Sequence, residues 1–178
     1  MRLETERLIL RDYKLQDWEA VHVYGSVPEF SQYEMWGPNT IEDTKKFISD
    51  MIVNSKDRPR YRFEFAVELK SEKYLIGGCG LRRDSQESCI ANMGWAINPK
   101  YQGVGIATEA ARACLNFGFQ ELNLAVVYAT CDTRNIASYR VMQKIGMKRV
   151  GHMIGDRKID SKILDSYRYE ISASEAVI

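Results

Sequence analysis

The sequence predicts a mixed α/β (α+β) fold arranged as one domain over residues 1–178. Three observations predict it. Apolar residues recur with a helical period in four stretches, and they alternate with a strand period in several others. The two kinds of segment are interleaved along the chain, with no repeat or Gly/Ser linker between them. A length of 178 residues is also close to that of one ordinary domain.

The N-terminal third predicts one strand followed by two helices. Apolar and polar residues alternate over residues 7–13, which is typical of a strand. A helical period follows over residues 15–25 and again over residues 38–56. Thr40 and Asp43 at the start of the second helix resemble a capping box, with Asp in place of the usual Glu.

The rest of the chain predicts an antiparallel meander and then an alternation of helices and strands. Period-two alternation indicates three strands, at residues 61–69, 74–83 and 88–98. The remaining predicted elements are a helix, a strand, a helix and two closing strands, at residues 104–121, 124–131, 135–145, 148–154 and 165–172. The central unit is therefore a strand, a glycine-rich turn, a helix and a strand.

Composition excludes several classes of protein. The formal net charge of +1 gives no overall attraction to nucleic acid or to a membrane surface. We therefore expect no nucleic-acid partner. We expect no membrane partner either, because the chain also lacks a signal-peptide pattern and any apolar run of about 20 residues. The four cysteines form no CxxC pair, so we expect no bound metal and reduced thiols in a cytoplasmic protein.

The segment "PKYQGVGIATEA", residues 99–110, places side-chain-poor residues at the start of a predicted helix. Gly103, Gly105 and Ala107 alternate there. The first N–H groups of a helix lack internal partners and, with the helix dipole, attract anions such as phosphate. Glycine leaves those N–H groups accessible because it has no Cβ. The turn therefore predicts a site for a phosphate-containing ligand.

Two common phosphate motifs do not fit this turn. A Walker A loop requires a Gly-Lys-Ser/Thr run, which the chain does not contain. A dinucleotide fingerprint requires Gly or Ala three residues after Gly105, where the chain has Thr108. The strand at residues 124–131 also lacks the acidic residue that would bind a ribose.

A third pattern does fit. Gln102, Gly105 and Ala107 match Gln/Arg-x-x-Gly-x-Gly/Ala, the coenzyme A pyrophosphate loop of the GNAT N-acetyltransferases. Two further segments, "LETERLILR" at residues 3–11 and "NIASYRVMQKIGMKRVG" at residues 135–151, follow the same family's order and spacing. The chain as a whole resembles the RimJ/RimL-type branch of GNAT, with Met147 where Phe is usual.

This resemblance implies a particular fold and cofactor. The family fold has a mostly antiparallel central sheet of about six to seven strands, flanked by about four helices. Its fourth and fifth strands splay apart around the pantetheine arm of acetyl-CoA; here they would be residues 89–98 and 124–131. The resemblance implies cofactor contacts from Ala96, Ile97, Gln102, Gly103, Val104, Gly105, Ile106, Ala107, Thr108, Asn135 and Ser138.

Two departures from the family affect the catalytic residues. Met142 occupies the position of a common Tyr acid, and Ser138, one helical turn earlier, is the usual substitute in this branch. Asn92 occupies the position of a common Glu base, so the base is left open among Glu64 and Glu68, which share one face of their predicted strand, His22, and a water chain. We take Ser138 and Glu64 as the candidate catalytic residues, with cofactor binding alone as the alternative role for Ser138.

The nature of the acceptor depends on how costly it is to deprotonate the amine. Presenting an α-amine in its neutral form at pH 7 costs about 1 kcal/mol, whereas a lysine amine costs about 4–5 kcal/mol. The absence of an obvious base therefore favours an amine of low pKa. Tyr33, Trp36 and His22 are the candidate substrate contacts, with loop anchoring as the alternative for the two aromatic residues.

The sequence therefore predicts an acetyl-CoA-dependent N-acetyltransferase that acts in a ternary complex without a metal. Its acceptor would be a primary amine, either a protein N-terminus or a small molecule. The alternative is a non-catalytic acyl-CoA-binding sensor or interaction module, which the missing Tyr and Glu suggest. We expect a monomer or a homodimer.

Overall fold

A mixed eight-stranded sheet organises the fold, seen in a computed structural model that describes residues 1–33, 36–159 and 162–176. The strands are β1 Arg2–Glu4, β2 Leu8–Arg11, β3 Arg62–Leu69, β4 Tyr74–Arg82, β5 Ile90–Ile97, β6 Val126–Asp132, β7 Lys148–Ile159 and β8 Lys162–Ser172. The α-helices are α1 Trp18–Gly25, α2 Pro28–Ser31, α3 Ile41–Lys56, α4 Ile106–Gln120 and α5 Ile136–Lys144.

The strand order is β1-β2-β3-β4-β5-β6-β8-β7, and only the β5–β6 pair is parallel. This confirms the predicted mixed and mostly antiparallel sheet. Two apolar cores lie on its two faces. Phe65 of β3 belongs to a core shared with α4, and the next residue, Ala66, belongs to a core shared with α1 and α3. Consecutive strand residues point to opposite faces, so β3 separates the two cores.

The helices begin where the sequence provides caps. The predicted capping box is confirmed at α3: the Asp43 N–H donates to the Thr40 hydroxyl at 3.1 Å, and the Thr40 N–H donates to the Asp43 carboxylate at 3.0 Å. These two bonds satisfy donors that the first helical turn leaves free. Helix α4 buries Ala110, Cys114 and Phe117 against the sheet, as its helical period predicts.

Strands β5 and β6 pair only at their beginnings. Their register joins Ile90 to Val126, Ala91 to Val127 and Asn92 to Tyr128, and goes no further. Beyond Asn92, β5 stays paired to β4, while β6 stays paired to β8. The two strands are therefore drawn apart by their outer neighbours, which confirms the predicted splay.

Several elements differ from the sequence prediction. Strand β1 and helix α2 were not predicted, because three and four residues are too few for a period to be recognised. Strands β7 and β8 are longer than predicted, since polar residues at 155–158 hide the alternation. The sheet therefore has eight strands in place of six to seven. Among the described helices, none is long and apolar enough to cross a bilayer.

Candidate active site

A cavity of about 520 Å³ opens where β5 and β6 part. One half of it lies in the gap and at the start of α5, where the lining residues are Ala96, Thr130, Cys131, Ser138 and Met142. The other half extends over β3 and β4 toward α1 and α3. One continuous space thus joins the interstrand gap to a second, more aromatic chamber.

The glycine turn lies at the N-terminus of α4, as predicted. Gly103 and Gly105 have φ values of 80° and 86°, in the left-handed region that favours glycine. Gly105 is the N-cap of α4, and the Val104 side chain between the two glycines is exposed. Among the described residues, none accepts a hydrogen bond from the backbone N–H groups of residues 103–108. Six consecutive free donors at a helix N-terminus suit a pyrophosphate.

The back of this turn is held by Arg7. Its side chain donates to the Val104 carbonyl at 3.0 Å and to the Glu109 carboxylate at 2.6 Å. The Thr5 hydroxyl and the Arg7 N–H also donate to Glu109. Burial opposes ionisation of Glu109, but these donors outweigh it and hold the pKa of its carboxyl below the ordinary value.

The turn is tied to β5 as well. The Gln102 amide donates to the Ile97 carbonyl at 2.7 Å, which fixes the loop against the end of the strand. Asn98 forms a short 3₁₀ turn over Pro99–Tyr101 by accepting from the Lys100 N–H at 3.0 Å. Gln102 thus acts on the protein backbone here, in a position that the sequence marked for cofactor contact.

The start of α5 faces the gap. Asn135 is its N-cap, and its side-chain oxygen accepts from the Ser138 N–H at 3.0 Å. Ser138 and Met142 both line the cavity, as expected for residues one helical turn apart. The Asn135 side chain therefore acts as a helix cap that orients the turn carrying Ser138.

Glycines form the floor of the second chamber. On β4, a Cβ at Gly78 would overlap the Tyr13 hydroxyl, and one at Gly80 would overlap the Glu64 carboxylate. On the neighbouring β5, a Cβ at Gly94 would meet no atom within 4 Å. The floor therefore has no side chains of its own at these glycines. Tyr13 and Glu64 lie directly over the β4 glycines, and the space above Gly94 of β5 is empty of described atoms.

Glu64 and Tyr13 provide the polar groups above this floor. The Glu64 carboxylate accepts a hydrogen bond from Arg82 within an ion pair, and its side chain is 13% exposed. Tyr13 is buried, and its hydroxyl has no hydrogen-bond partner among the described residues. Burial raises the pKa of the Tyr13 phenol well above its usual value, and the negative charge of Glu64 adds to this. Tyr13 is therefore neutral at physiological pH.

An aromatic wall closes the chamber; we define it as Tyr13, Tyr24, Phe30, Trp36 and Phe47, all of which line the cavity. The rings contact one another in the order Tyr24, Phe30, Trp36, Phe47 and Tyr13, with centroid separations of 5.0 to 5.8 Å. Trp36 packs so closely on α1 that a Cβ at Gly25 would lie 2.7 Å from its ring. Trp36 thus both anchors its loop and faces the cavity.

The other two predicted substrate contacts lie elsewhere. The Tyr33 carbonyl accepts from Arg157 at 3.1 Å, and the Arg134 guanidinium lies 5.8 Å from the centre of the Tyr33 ring. His22 hydrogen-bonds to Thr44 of α3 at 3.0 Å. Neither Tyr33 nor His22 lines the cavity as the structure describes it.

The structure brings four of the predicted residues into one cavity and adds others. Ala96, Ser138, Glu64 and Trp36 line one cavity. Sequence reasoning missed the aromatic wall apart from Trp36. It also missed the clamp, by which we mean the hydrogen bonds from Arg7 to Val104 and Glu109. The unusual density of glycine in "GGCG", residues 77–80, was the available signal for a floor without side chains.

Comparisons with known proteins agree with this geometry. Residues 7–148 match the family model described as an acetyltransferase (GNAT) domain. The chain is 38% identical over 175 residues to the uncharacterized N-acetyltransferase YnaD of Bacillus subtilis (strain 168), covering 98% of this chain and 99% of that protein. The crystal structure of a GNAT-family acetyltransferase from Bacillus anthracis superimposes with a TM-score of 0.87 at 36% identity, covering 98% of this chain and 100% of that one.

A more distant structure shares the fold. It is RimL, a ribosomal L7/L12 α-N-protein acetyltransferase in complex with coenzyme A, with a TM-score of 0.85 at 16% identity over 97% of this chain and 98% of that one.

Proposed function

The chain belongs to the GNAT acetyltransferase family and is an N-acetyltransferase, and from that premise we propose that it transfers the acetyl group of acetyl-CoA to a small primary amine. The cavity between β5 and β6 would be the site of transfer. The observation that carries the proposal is the row of six free N–H groups at residues 103–108, placed beside the gap between the two strands.

The residues of the gap suit the cofactor in order along its length. The pyrophosphate would lie on the N–H groups of residues 103–108, with Gly103 and Gly105 giving it close access. The pantetheine arm would lie along β5 near Ala96 and Ile97, where pairing to β6 has ended. Asn135 would support this end by holding the first turn of α5. When bound, acetyl-CoA supplies the acetyl group as a thioester.

Two side chains would manage protons on either side of the reacting centre. Glu64, held by Arg82 over Gly80, would accept a proton from the incoming amine. Ser138, at the gap side of the cavity, would donate its hydroxyl proton to the sulfur of the departing coenzyme A. A free thiol of ordinary pKa, about 8.5, is already a fair leaving group, so its acid is helpful but not indispensable. Alignment of the amine and the thioester in one cavity would supply the larger share of the acceleration.

Thiol release from acetyl-CoA, followed with a panel of primary amines, tests this proposal. We expect release that depends on the amine and on protein, and a product heavier by one acetyl group in mass spectrometry. Thiol release that is equal with and without every amine would contradict acetyl transfer to an amine. Tight binding of acetyl-CoA without any release would favour the non-catalytic sensor instead.

A further inference from the structure

We propose that the acceptor is a compact amine that combines a flat apolar group with an anionic group, as an aromatic amino acid does. This inference rests on the proposed function and deepens it by naming the substrate class. It is carried by three features of the second chamber: the aromatic wall, the charges that face the cavity, and the two polar groups over the glycine floor.

The aromatic wall is suited to a flat apolar group. Tyr13 and Tyr24 are buried, whereas Phe30, Trp36 and Phe47 are only half-buried and present ring surface to the cavity. Trp36 stands between the other two, 5.8 Å from Phe30 and 5.1 Å from Phe47. Offset and edge-to-face ring pairs are worth about 0.5–1.5 kcal/mol beyond the area they bury. A planar ligand group would therefore gain more here than a flexible aliphatic chain.

The charges around the cavity disfavour a polycation. Its described lining holds one carboxylate, that of Glu64, and two guanidinium groups, those of Arg82 and Arg157. Arg82 is paired with Glu64. A polyamine carries several ammonium groups, and the described lining would meet them with an excess of positive charge and a single carboxylate. This argues against an acceptor like spermidine, because like charges in a partly enclosed site repel.

Arg157 is the cation available to an anionic group. It donates one hydrogen bond to the Tyr33 carbonyl at 3.1 Å, and among the described residues no carboxylate forms an ion pair with it. The charge of Arg157 helps, after that of Arg134, to lower the pKa of the Asp132 carboxyl, but it is Arg134 that binds both Asp132 oxygens, at 2.9 and 2.7 Å. The remaining Arg157 donors are thus free to bind a carboxylate, which the guanidinium fork matches in shape.

The amine would lie at the opposite end of the chamber, over the floor. The Glu64 carboxylate covers Gly80, and the Tyr13 hydroxyl covers the nearby Gly78. Gly78 pairs with Ala96, so both groups stand beside the strand where the thioester would lie. A carboxylate and a neutral phenol together can accept hydrogen bonds from an ammonium group. Here they would hold the amine between the aromatic wall and the gap.

Matched ligands separate these contributions. Phenylalanine and phenethylamine differ only in the carboxylate, and phenylalanine and alanine differ only in the ring. We expect kcat/KM to be at least about tenfold higher for phenylalanine than for either relative, and lowest for spermidine. Arg157→Gln should lower kcat/KM for phenylalanine to the value for phenethylamine. Lys158→Gln, at the exposed neighbouring residue, should preserve the difference in kcat/KM between the two amines. Trp36→Leu should remove the advantage of phenylalanine over alanine.

The outcomes also distinguish this inference from the proposed function. Calorimetric binding of acetyl-CoA together with a preference for spermidine would overturn only the acceptor class. A preference for N-terminal peptides would overturn the small acceptor of the proposed function as well. An unchanged phenylalanine-to-phenethylamine ratio in Arg157→Gln would overturn the role of Arg157 and the anionic group with it. Failure of acetyl-CoA itself to bind would overturn the proposed function and this inference together.

Discussion

The guanidinium of Arg7 donates a hydrogen bond to the backbone carbonyl of Val104 at 3.0 Å, across 97 residues of sequence. The same side chain forms an ion pair with Glu109 at 2.6 Å. The turn between β1 and β2 is thereby joined to the loop that begins α4. This contact fixes the loop whose N–H groups, at residues 103–108, would bind a pyrophosphate. The same contact places a positive charge near Gly105.

Replacing Arg7 should weaken pyrophosphate binding selectively. We expect Arg7→Gln to raise the Kd for acetyl-CoA about tenfold, since a hydrogen bond to a charged group contributes about 1.5–3 kcal/mol. The Kd for S-acetylpantetheine, which lacks the pyrophosphate, should not change. Arg2→Gln, at an exposed arginine paired only with Glu4, is the matched control. An equal loss of affinity for both thioesters would indicate general damage to the fold and contradict the role of Arg7.

The Glu109 contacts predict a dependence of stability on pH. Because the folded pKa of Glu109 lies below its ordinary value of 4.5, the unfolded chain takes up the proton first. The stabilisation is therefore complete above about pH 4.5 and is lost as the pH falls through the folded pKa. Urea unfolding should show Glu109→Gln less stable than the parent at pH 7, with the difference shrinking toward pH 3. A difference that is independent of pH would show that the charge of Glu109 contributes nothing.

Substitutions at Ser138 and at Asn135 should separate an effect on catalysis from an effect on helix capping. We expect Ser138→Ala to lower kcat by about 10²-fold or more if its proton serves the leaving thiol, with the free energy of unfolding unchanged. Asn135→Ala should instead lower the free energy of unfolding by about 1 kcal/mol, the usual loss for an N-cap. Thermal unfolding and steady-state kinetics measure the two effects. A kcat for Ser138→Ala equal to that of the parent would leave this serine as a cofactor contact only.

Gly94 offers a way to fill the chamber without disturbing the fold. An added Cβ there meets nothing within 4 Å, so Gly94→Val should fold normally while its side chain occupies the acceptor space. We expect kcat/KM for the amine to fall more than about tenfold, with stability equal or higher because valine favours strands. Gly151→Val on β7, where an added Cβ makes only an ordinary contact with Arg168, is the control. Full activity in Gly94→Val would place the acceptor elsewhere.

The features that sequence could predict are those with a local signature. The helical period of α4, the capping box at Thr40 and the glycine turn at Gly105 each depend on residues close together in the chain. The splay of β5 and β6 was predicted only through family resemblance, because it arises from pairing of each strand with a different outer neighbour. No local pattern shows which strands will be those neighbours.

The second chamber was hardest to predict because its residues come from distant parts of the chain. Tyr13 and Trp36 are separated from Glu64 and Gly94 by whole elements, and each belongs to a segment whose own pattern is ordinary. His22 shows the reverse difficulty: histidine is a common acid or base residue, yet the fold directs its side chain to Thr44. The clamp between Arg7 and Val104 joins residues with 96 others between them, so only the tertiary structure reveals it.

Calorimetric titration with acetyl-CoA, using CoA, NAD and ATP as comparators, tests the central claim most directly. The six free N–H groups beside the splayed strands predict micromolar binding of acetyl-CoA and CoA, and much weaker binding of NAD and ATP. They also predict that both CoA affinities fall together in Arg7→Gln. Binding of NAD or ATP in preference to acetyl-CoA, or no binding of either CoA form, would contradict the assignment of this cleft.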